Sequence, residues 1–218
     1  MRVQAVCHQG VTTIMSATDR SVLLVEDDLA LANYLSAALH EQGYAVQQAH
    51  TRAQALNCLD DANPPGLVLL DLGLPPAPST MAEGLNLLEE CIRKNPMMKV
   101  IVLTGQDESS AALEAVRRGA FDFLVKPASV VTILQSLRRA ELFSREEVRM
   151  ADAGEARVQL TARLGEGPRE IAAAAEEQLV RRALTETGYN VAETGRRLGM
   201  AREHVYYYLK KYGIRRPD

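Results

Sequence analysis

Runs of consecutive apolar residues alternate along the chain with stretches in which apolar residues recur every three or four positions. A short continuous run bounded by turn residues predicts a strand buried on both faces, and the longer spacing predicts an amphipathic helix. The predicted strands lie at residues 21–25, 44–49, 67–71, 100–103 and 121–125, and the second of these is the weakest.

A helical pattern follows each of these predicted strands. The helices are expected at residues 29–39, 53–59, 84–94, 109–118 and 129–143. Five alternations of strand and helix favour a parallel sheet with right-handed crossovers. The predicted fold class is therefore α/β, a doubly wound five-stranded parallel sheet, in a domain covering residues 21–143.

The pattern changes after residue 143. Residues 144–170 are charged and contain glycine and proline, which indicates a linker. Helical spacing returns at 171–184, and Asn190 is a suitable N-cap for a second helix that ends before Gly199. A third helix is predicted at 202–212. Two short helices around a glycine turn are typical of a helix-turn-helix, so a small all-α domain is expected at 171–218.

Composition is that of a globular protein, with 47% hydrophobic and 24% charged residues. No apolar run approaches the roughly 20 residues needed to span a bilayer, and residues 1–20 form a tail without a signal-peptide core. The three cysteines are widely spaced and fit neither a disulfide framework nor a zinc site. The expected location is the cytoplasm, without membrane contact.

Charge is distributed unevenly along the chain, although the net charge is only -3. Residues 1–143 contain 11 Lys and Arg against 16 Asp and Glu, whereas residues 189–218 contain 7 against 3. This asymmetry suggests an acidic module joined to a small anion-binding one.

Polar side chains stand at the ends of four predicted strands: Glu26 and Asp27, Asp71, Thr104, and Lys126. The carboxyl ends of parallel strands meet at one edge of the sheet, where ligands bind. Three clustered carboxylates repel one another and require a cation, and oxygen ligands suit Mg²⁺. A hydroxyl, an ammonium and Mg²⁺ around one carboxylate indicate a phosphoryl-acceptor site with Asp71 as nucleophile.

These motifs resemble the receiver domain of two-component response regulators, which has the flavodoxin-like fold. The resemblance implies that Asp71 is phosphorylated by a sensor histidine kinase, and that Thr104 and Phe123 form the switch. It also implies that Glu26 and Asp27 occupy the acidic pocket and that the carbonyl of Gly73 is a metal ligand. Residues 76–83 depart from the family pattern by an insertion next to the phosphoacceptor.

The third helix of the C-terminal domain should divide into two faces. Val205, Tyr208, Leu209 and Tyr212 follow the core spacing. The outward face and its neighbours supply the candidate contacts to double-stranded DNA, since a recognition helix enters the major groove and basic residues contact phosphates. These candidates are Arg196, Arg197, Arg202, Glu203, Tyr206, Tyr207, Lys210 and Lys211, and Arg215 and Arg216 are further candidate phosphate contacts.

Residues 172–216 resemble the Fis-type helix-turn-helix that ends nitrogen-regulation-type activators and redox-responsive regulators of the RegA/ActR kind. Two departures from that pattern are expected to reduce stability. Ala201 replaces a polar N-cap, at a cost of about 1 kcal/mol. Gly195 stands where alanine is more common, at a cost of about 1 kcal/mol of helix propensity.

The favoured function is a phosphorylation-controlled, DNA-binding transcription regulator. One alternative is a relay protein whose C-terminal hairpin docks to another protein, and salt-sensitive binding to duplex DNA separates the two. The other alternative is a phosphatase that cycles through aspartyl phosphate, which turnover of a small phosphate ester would reveal.

Fis-type modules resemble dimeric DNA binders, so a homodimer is expected after phosphorylation. Two surfaces are candidates for the dimer contact. The helix at 171–186 offers a constitutive apolar face through Ile171, Leu179 and Leu184. The receiver offers a conditional surface at helix 109–118, strand 121–125 and helix 129–143.

Overall fold

The computed structural model describes residues 20–61, 63–105, 109–158 and 167–215. The first domain contains β1 (Ser21–Val25), α1 (Leu29–Glu41), β2 (Ala45–Ala49), α2 (Arg52–Leu59), β3 (Leu67–Asp71), α3 (Ala82–Lys94), β4 (Lys99–Thr104), α4 (Ser109–Arg117), β5 (Asp122–Val125) and α5 (Val130–Asp152). A short 3₁₀ turn, Pro78–Thr80, precedes α3. The second domain contains α6 (Pro168–Glu186), α7 (Val191–Arg197) and α8 (Arg202–Lys211).

The five strands form one parallel sheet in the order β2-β1-β3-β4-β5. Central strand β3 is buried throughout, and helices cover both faces of the sheet with two separate apolar clusters. Continuous apolar strands of this kind are stable only between two helical layers. The predicted α/β fold is confirmed, and of the predicted elements within the described residues it is α5 that differs most in length.

Helix α5 continues nine residues past its predicted end at Phe143, to Asp152. Its first half packs on the sheet through Ile133, Leu137 and Ala140. Glu147 lies in the extension, and its side chain is buried. A glutamate gives no apolar signal, so the sequence pattern did not predict a helix there. The start of the predicted linker at 144 is therefore helical, while residues 159–166 lie outside the described part of the chain, as do residues 1–19 of the predicted tail.

Buried charged groups lie where the extension of α5 meets α6. Lys99, at the start of β4, donates to Glu147 on the α5 extension, and burial lowers the pKa of Lys99 against the opposing effect of this hydrogen bond. Arg182 on α6 is 3% exposed and donates to the carbonyl oxygens of Arg157, at 2.9 Å, and of Glu147, at 3.4 Å. The charge of Arg182 is paired with Glu186 on the same helix, at 2.8 Å, as a buried charge requires. Its two bonds to carbonyl groups hold α6 against the end of α5 and the residues after it.

Helices α6, α7 and α8 share a small core made by Val180, Leu184, Val205 and Ile214. Leu184 is fully buried there, and Leu179 lines a cleft that also involves the end of α5. Of the apolar face predicted for α6, Leu184 is therefore not available for a dimer contact, because it already serves the core of its own domain. Ile171 and Leu179 are partly exposed, and the dimer contact itself stays a prediction.

Local geometry accounts for Gly195 and shows how the helices of this domain begin. A Cβ built on Gly195 would lie 2.8 Å from the carbonyl oxygen of Met200, so the close approach of the turn requires glycine. Asn190 caps α7 by accepting from the N–H of Glu193, as predicted. Ala201 precedes α8 and provides no side-chain cap, also as predicted.

None of the helices within the described residues is long and apolar enough to cross a membrane.

Candidate functional site

The ends of β1, β3, β4 and β5 bring the predicted site residues together. Carboxylate oxygens of Glu26, Asp27 and Asp71 all lie within 4.8 Å of one another. Asp71 pairs with Leu103 in the register of β3 and β4, which places Thr104 one position beyond it at the same sheet edge. The Nζ of Lys126 lies 2.8 Å from Glu26 Oε2 and 2.9 Å from Asp71 Oδ2.

Burial and neighbouring charged groups both shift pKa values at this edge of the sheet. Glu26 is 1% exposed, so desolvation raises the pKa of its carboxyl group, and the nearby charge of Asp71 adds to this effect against the hydrogen bond from Lys126. Burial alone would lower the pKa of Lys126, but its hydrogen bonds to Glu26 and Asp71 raise it overall. Lys126 therefore remains a positive charge between two carboxylates.

Both oxygens of the Asp71 carboxylate have partners within the protein. Oδ2 faces Lys126, and Oδ1 accepts the N–H of Gly73 at 3.1 Å. This N–H orients the carboxylate, whereas the ligand role of the Gly73 carbonyl stays a prediction. The donor set fits Mg²⁺, because the cluster offers oxygen ligands only and Asp27 is exposed, which leaves room for retained waters.

The two predicted switch residues lie on neighbouring strands and differ in burial. Thr104 is 1% exposed, and its hydroxyl donates to the carbonyl of Gly105 at 3.2 Å. Its backbone carbonyl accepts the N–H of Lys126, which ties the ends of β4 and β5 together. Phe123 lies on edge strand β5, and the residue is 41% exposed. Phe123 thus points outward in this structure, and an inward rotation would change the surface of β5.

Two residues near the pocket were not distinguished by the sequence analysis as contributors to its geometry. His50 follows β2, and its Nδ1 lies 2.8 Å from the backbone carbonyl of Glu26. Its position after a strand is the signal that could have identified it. Asp28 caps α1 by accepting from the N–H groups of Ala30 and Leu31, so the third carboxylate of the acidic motif begins a helix.

The insertion at 76–83 forms a compact turn next to the phosphoacceptor. A Cβ placed on Gly73 would lie 3.6 Å from Asp71 Oδ2 and 3.7 Å from the carbonyl oxygen of Pro78. Gly84 fixes the far end of the insertion, since a Cβ there would lie 2.4 Å from the Cα of Leu72. The extra residues therefore border the acidic pocket.

The face division predicted for α8 is confirmed in its burial. Val205 is fully buried, and Tyr208, Leu209 and Tyr212 pack around it. The outward residues Arg202, Glu203, Tyr206, Tyr207 and Lys210 are exposed.

Three of the remaining basic candidates form ion pairs, and Arg215 is exposed. Arg196 is bonded to Glu193, and Arg197 lies 3.0 Å from Glu186. Lys211 lies 2.6 Å from Glu176 on α6. Arg216, beyond α8, lies outside the described residues.

A doubly wound sheet with an acidic, lysine-bridged pocket, followed by a helix-turn-helix, defines a phosphoacceptor module joined to a DNA-binding one. Residues 22–138 match the family described as response regulator receiver domain. Residues 172–212 match the family described as bacterial regulatory protein, Fis family. The chain belongs to the response regulators, with a receiver domain and a Fis-type helix-turn-helix.

Similar proteins agree with this assignment. The acid tolerance regulatory protein ActR of Rhizobium meliloti is 34% identical over 119 residues, and the photosynthetic apparatus regulatory protein RegA of Cereibacter sphaeroides is 32% identical over 119 residues. Each match covers 55% of this chain, and the matches cover 58% of ActR and 61% of RegA. The chain thus spans less than two thirds of the length of these relatives.

Solved structures resemble the first domain. The receiver domain of NtrX from Brucella abortus is 29% identical with a TM-score of 0.51, and the match covers 56% of this chain and 98% of that one. A CheY-like receiver domain protein from Methanospirillum hungatei is 26% identical with a TM-score of 0.53, covering 59% of this chain and 98% of that one. Both likenesses concern the receiver fold.

Proposed function

We propose that this protein accepts a phosphoryl group on Asp71 from a sensor histidine kinase and regulates transcription by binding double-stranded DNA. The observation that carries the proposal is the position of Lys126, whose Nζ contacts both Asp71 and Glu26 beside the exposed carboxylate of Asp27. That arrangement is joined in one chain to a helix-turn-helix with an exposed recognition face. The molecule acts as a regulator and not as a turnover enzyme.

Phosphoryl transfer needs little covalent chemistry from the protein. A carboxylate oxygen of Asp71 attacks the phosphorus of the donor phosphohistidine, the phosphorus–nitrogen bond breaks, and its electron pair leaves with the imidazole. Lys126 neutralises developing charge on the phosphoryl oxygens, and the hydroxyl of Thr104 turns from Gly105 to the bound phosphoryl group. The residues that would hold Mg²⁺ are Glu26, Asp27, Asp71 and the carbonyl of Gly73, and the bound ion would supply further positive charge.

Asp27 should control metal affinity. Asp27→Ala removes a carboxylate ligand from a site that takes only one or two, so Mg²⁺ binding measured by calorimetry should weaken steeply. Asp28→Ala is the matched control, because that carboxylate caps α1. Equal Mg²⁺ affinity in Asp27→Ala and wild type would show that the acidic pocket is misplaced.

Arg202, the first residue of α8, should contact base edges of the DNA. Its side chain is 73% exposed and lies 3.3 Å from Glu203. Arg202→Ala should cost about 1–3 kcal/mol of DNA binding and relax sequence preference. Arg215→Ala should instead weaken all sequences alike and reduce the salt slope by about one unit, as a phosphate contact does. Identical behaviour of the two variants in a binding-site selection would contradict the face assignment.

Phosphorylation should promote association through the receiver, because the predicted switch residue Phe123 lies within an exposed apolar surface of that domain. Four exposed apolar side chains lie on α4 and β5, where Phe123 would turn: Leu113, Val116, Phe123 and Val125. A second copy of the receiver would cover this surface. The coupling energy expected between phosphorylation and dimerisation is about 1–3 kcal/mol.

Thr104→Ala should separate phosphorylation from association. The variant keeps Asp71 and Lys126, so it should accept phosphate, yet it lacks the hydroxyl that follows the phosphoryl group. Sedimentation with and without a phosphoryl donor should show a weaker shift to dimer in Thr104→Ala than in wild type. An association state in wild type that does not change with the donor would mean that the switch acts through another surface.

A specific observation favours the docking alternative as a second candidate. Arg196, Arg197 and Lys211 are all paired with glutamates, which reduces the positive charge available to DNA phosphates. Salt dependence decides between the two, since duplex DNA binding must weaken steeply with added salt as counterions are released.

A further inference from the structure

Glu176 on α6 accepts hydrogen bonds from three side chains at the end of the recognition helix. The hydroxyl of Tyr208 lies 3.1 Å from Glu176 Oε2, and the Nζ of Lys211 lies 2.6 Å from Oε1. The hydroxyl of Tyr212 also donates to Oε1. One carboxylate thus collects three donors from α8 and the residue that follows it; we call Glu176 and these donors the Glu176 cluster.

Aromatic rings surround the ammonium group of Lys211. Its Nζ lies 4.7 Å from the ring centroid of Tyr212 and 5.5 Å from that of Tyr208. These two rings are nearly parallel, at 4° and 6.0 Å between centroids. A cation over aromatic faces is attracted by the ring quadrupoles, so the stacked rings and Glu176 fix Lys211 from several directions.

The titration of the cluster agrees with a charged, hydrogen-bonded pair. The hydrogen bonds from Lys211 and then from Tyr212 lower the pKa of Glu176. The same contact with Glu176 raises the pKa of Lys211. Both groups are therefore ionised over the range in which DNA binding is measured.

The other end of α8 is held by packing. Ala201 supplies no side-chain cap, and Val205 is the one residue of α8 that is buried among those described. Apolar packing is non-directional, so it fixes the angle of a helix less narrowly than hydrogen bonds do. The hydrogen bonds at Tyr208, Lys211 and Tyr212 are directional, so they fix the angle of the helix relative to α6.

We propose that Glu176 is a positioning residue for DNA recognition, and that Lys211 acts through it instead of contacting a DNA phosphate. This inference rests on the proposed DNA-binding function. The Glu176 cluster holds α8 at the angle needed to enter a groove, and base contacts from Arg202 and Tyr206 depend on that angle.

The sign of one substitution separates this role from simple electrostatics. Removing a carboxylate from a DNA-binding domain normally strengthens binding, because repulsion of the phosphates is lost. Glu176→Gln should instead weaken binding to the selected duplex by about tenfold, as expected for loss of a hydrogen bond to a charged group. Glu170→Gln removes the same charge from an exposed position in the first turn of α6 and should bind as tightly as wild type or more tightly.

Tyr208→Phe provides a second variant that keeps the ring and changes no charge. If Tyr208 acts through Glu176, the double variant Glu176→Gln/Tyr208→Phe should bind no more weakly than Glu176→Gln alone. Additive losses would show that the two side chains act independently and would overturn the cluster as a unit.

The decisive readouts are sequence preference and salt dependence in the full-length protein, measured by fluorescence anisotropy. Glu176→Gln and Lys211→Ala should lose affinity for the selected duplex. Glu176→Gln should bind a scrambled duplex at least as tightly as the wild type, and Lys211→Ala should keep the wild-type salt slope. A slope reduced by about one unit in Lys211→Ala would make Lys211 a phosphate contact and overturn the proposal. Equal or tighter specific binding by Glu176→Gln would also overturn it. Failure of the wild type to bind any selected duplex would instead refute the DNA-binding function itself.

Discussion

Asp71→Ala should abolish phosphorylation of the protein. Incubation of the wild type with Mg²⁺ and a small-molecule phosphoryl donor should add one phosphate, detected by intact mass spectrometry. Among the described side chains, Asp71 alone combines a carboxylate beside Lys126 with an N–H bond from Gly73 and two further carboxylates for the metal. The variant removes the nucleophile itself, so no residual transfer is expected.

Asp60→Ala is the control for that experiment, since Asp60 is an exposed carboxylate at the end of α2 that pairs with Lys94. It should be phosphorylated like the wild type. A phosphate that persists in Asp71→Ala would assign the acceptor to another residue and would remove the basis of the proposed mechanism.

Glu147→Gln should destabilise the protein strongly. Its carboxylate pairs with Lys99, and both side chains are at most 10% exposed. Removing one partner leaves a buried, uncompensated charge, which costs about 3–5 kcal/mol. Denaturant unfolding followed by circular dichroism should show a midpoint well below that of the wild type.

Glu146→Gln is the matched control for Glu147→Gln. Glu146 is the preceding residue on α5 and pairs with Arg149 in an exposed ion pair, which contributes about 0–1 kcal/mol. Equal unfolding midpoints for the two variants would mean that the Lys99–Glu147 pair does not contribute to stability.

The receiver fold could be predicted because its strands carry their own signal. Residues 67–70 and 100–103 are continuous apolar runs, and such runs occur in parallel sheets covered on both sides. The polar residue after each run is then placed by the topology, since parallel strands end at one edge. The proximity of Glu26, Asp71 and Lys126 could therefore be predicted from the order of the strands alone, and their side chains are in contact in the structure.

The extension of α5 could not be predicted in the same way. Glu147 is buried because Lys99 lies opposite it, and the two residues are 48 positions apart in the chain. Nothing in the local pattern after Phe143 distinguishes a buried glutamate from an exposed one. The contact between α6 and the receiver also depends on residues far apart in the chain, since Arg182 donates to the carbonyl groups of Arg157 and Glu147.

The role of Lys211 shows the limit of helical periodicity in the small domain. Spacing correctly assigned Val205 to the core of α8 and Lys210 to the surface. It could not show that Glu176, 35 residues earlier, lies within reach of Lys211. A basic residue at the edge of a recognition helix is ambiguous until the acidic residues of the neighbouring helix are located.

Control of DNA binding by phosphorylation is tested by the affinity of the full-length protein for its selected DNA duplex, measured with and without a phosphoryl donor in the presence of Mg²⁺. A phosphorylation-controlled regulator should bind more tightly with the donor, by about the 1–3 kcal/mol of coupling expected between sites. Asp71→Ala should bind equally under both conditions. An affinity of the wild type that does not respond to phosphorylation of Asp71 would contradict the account.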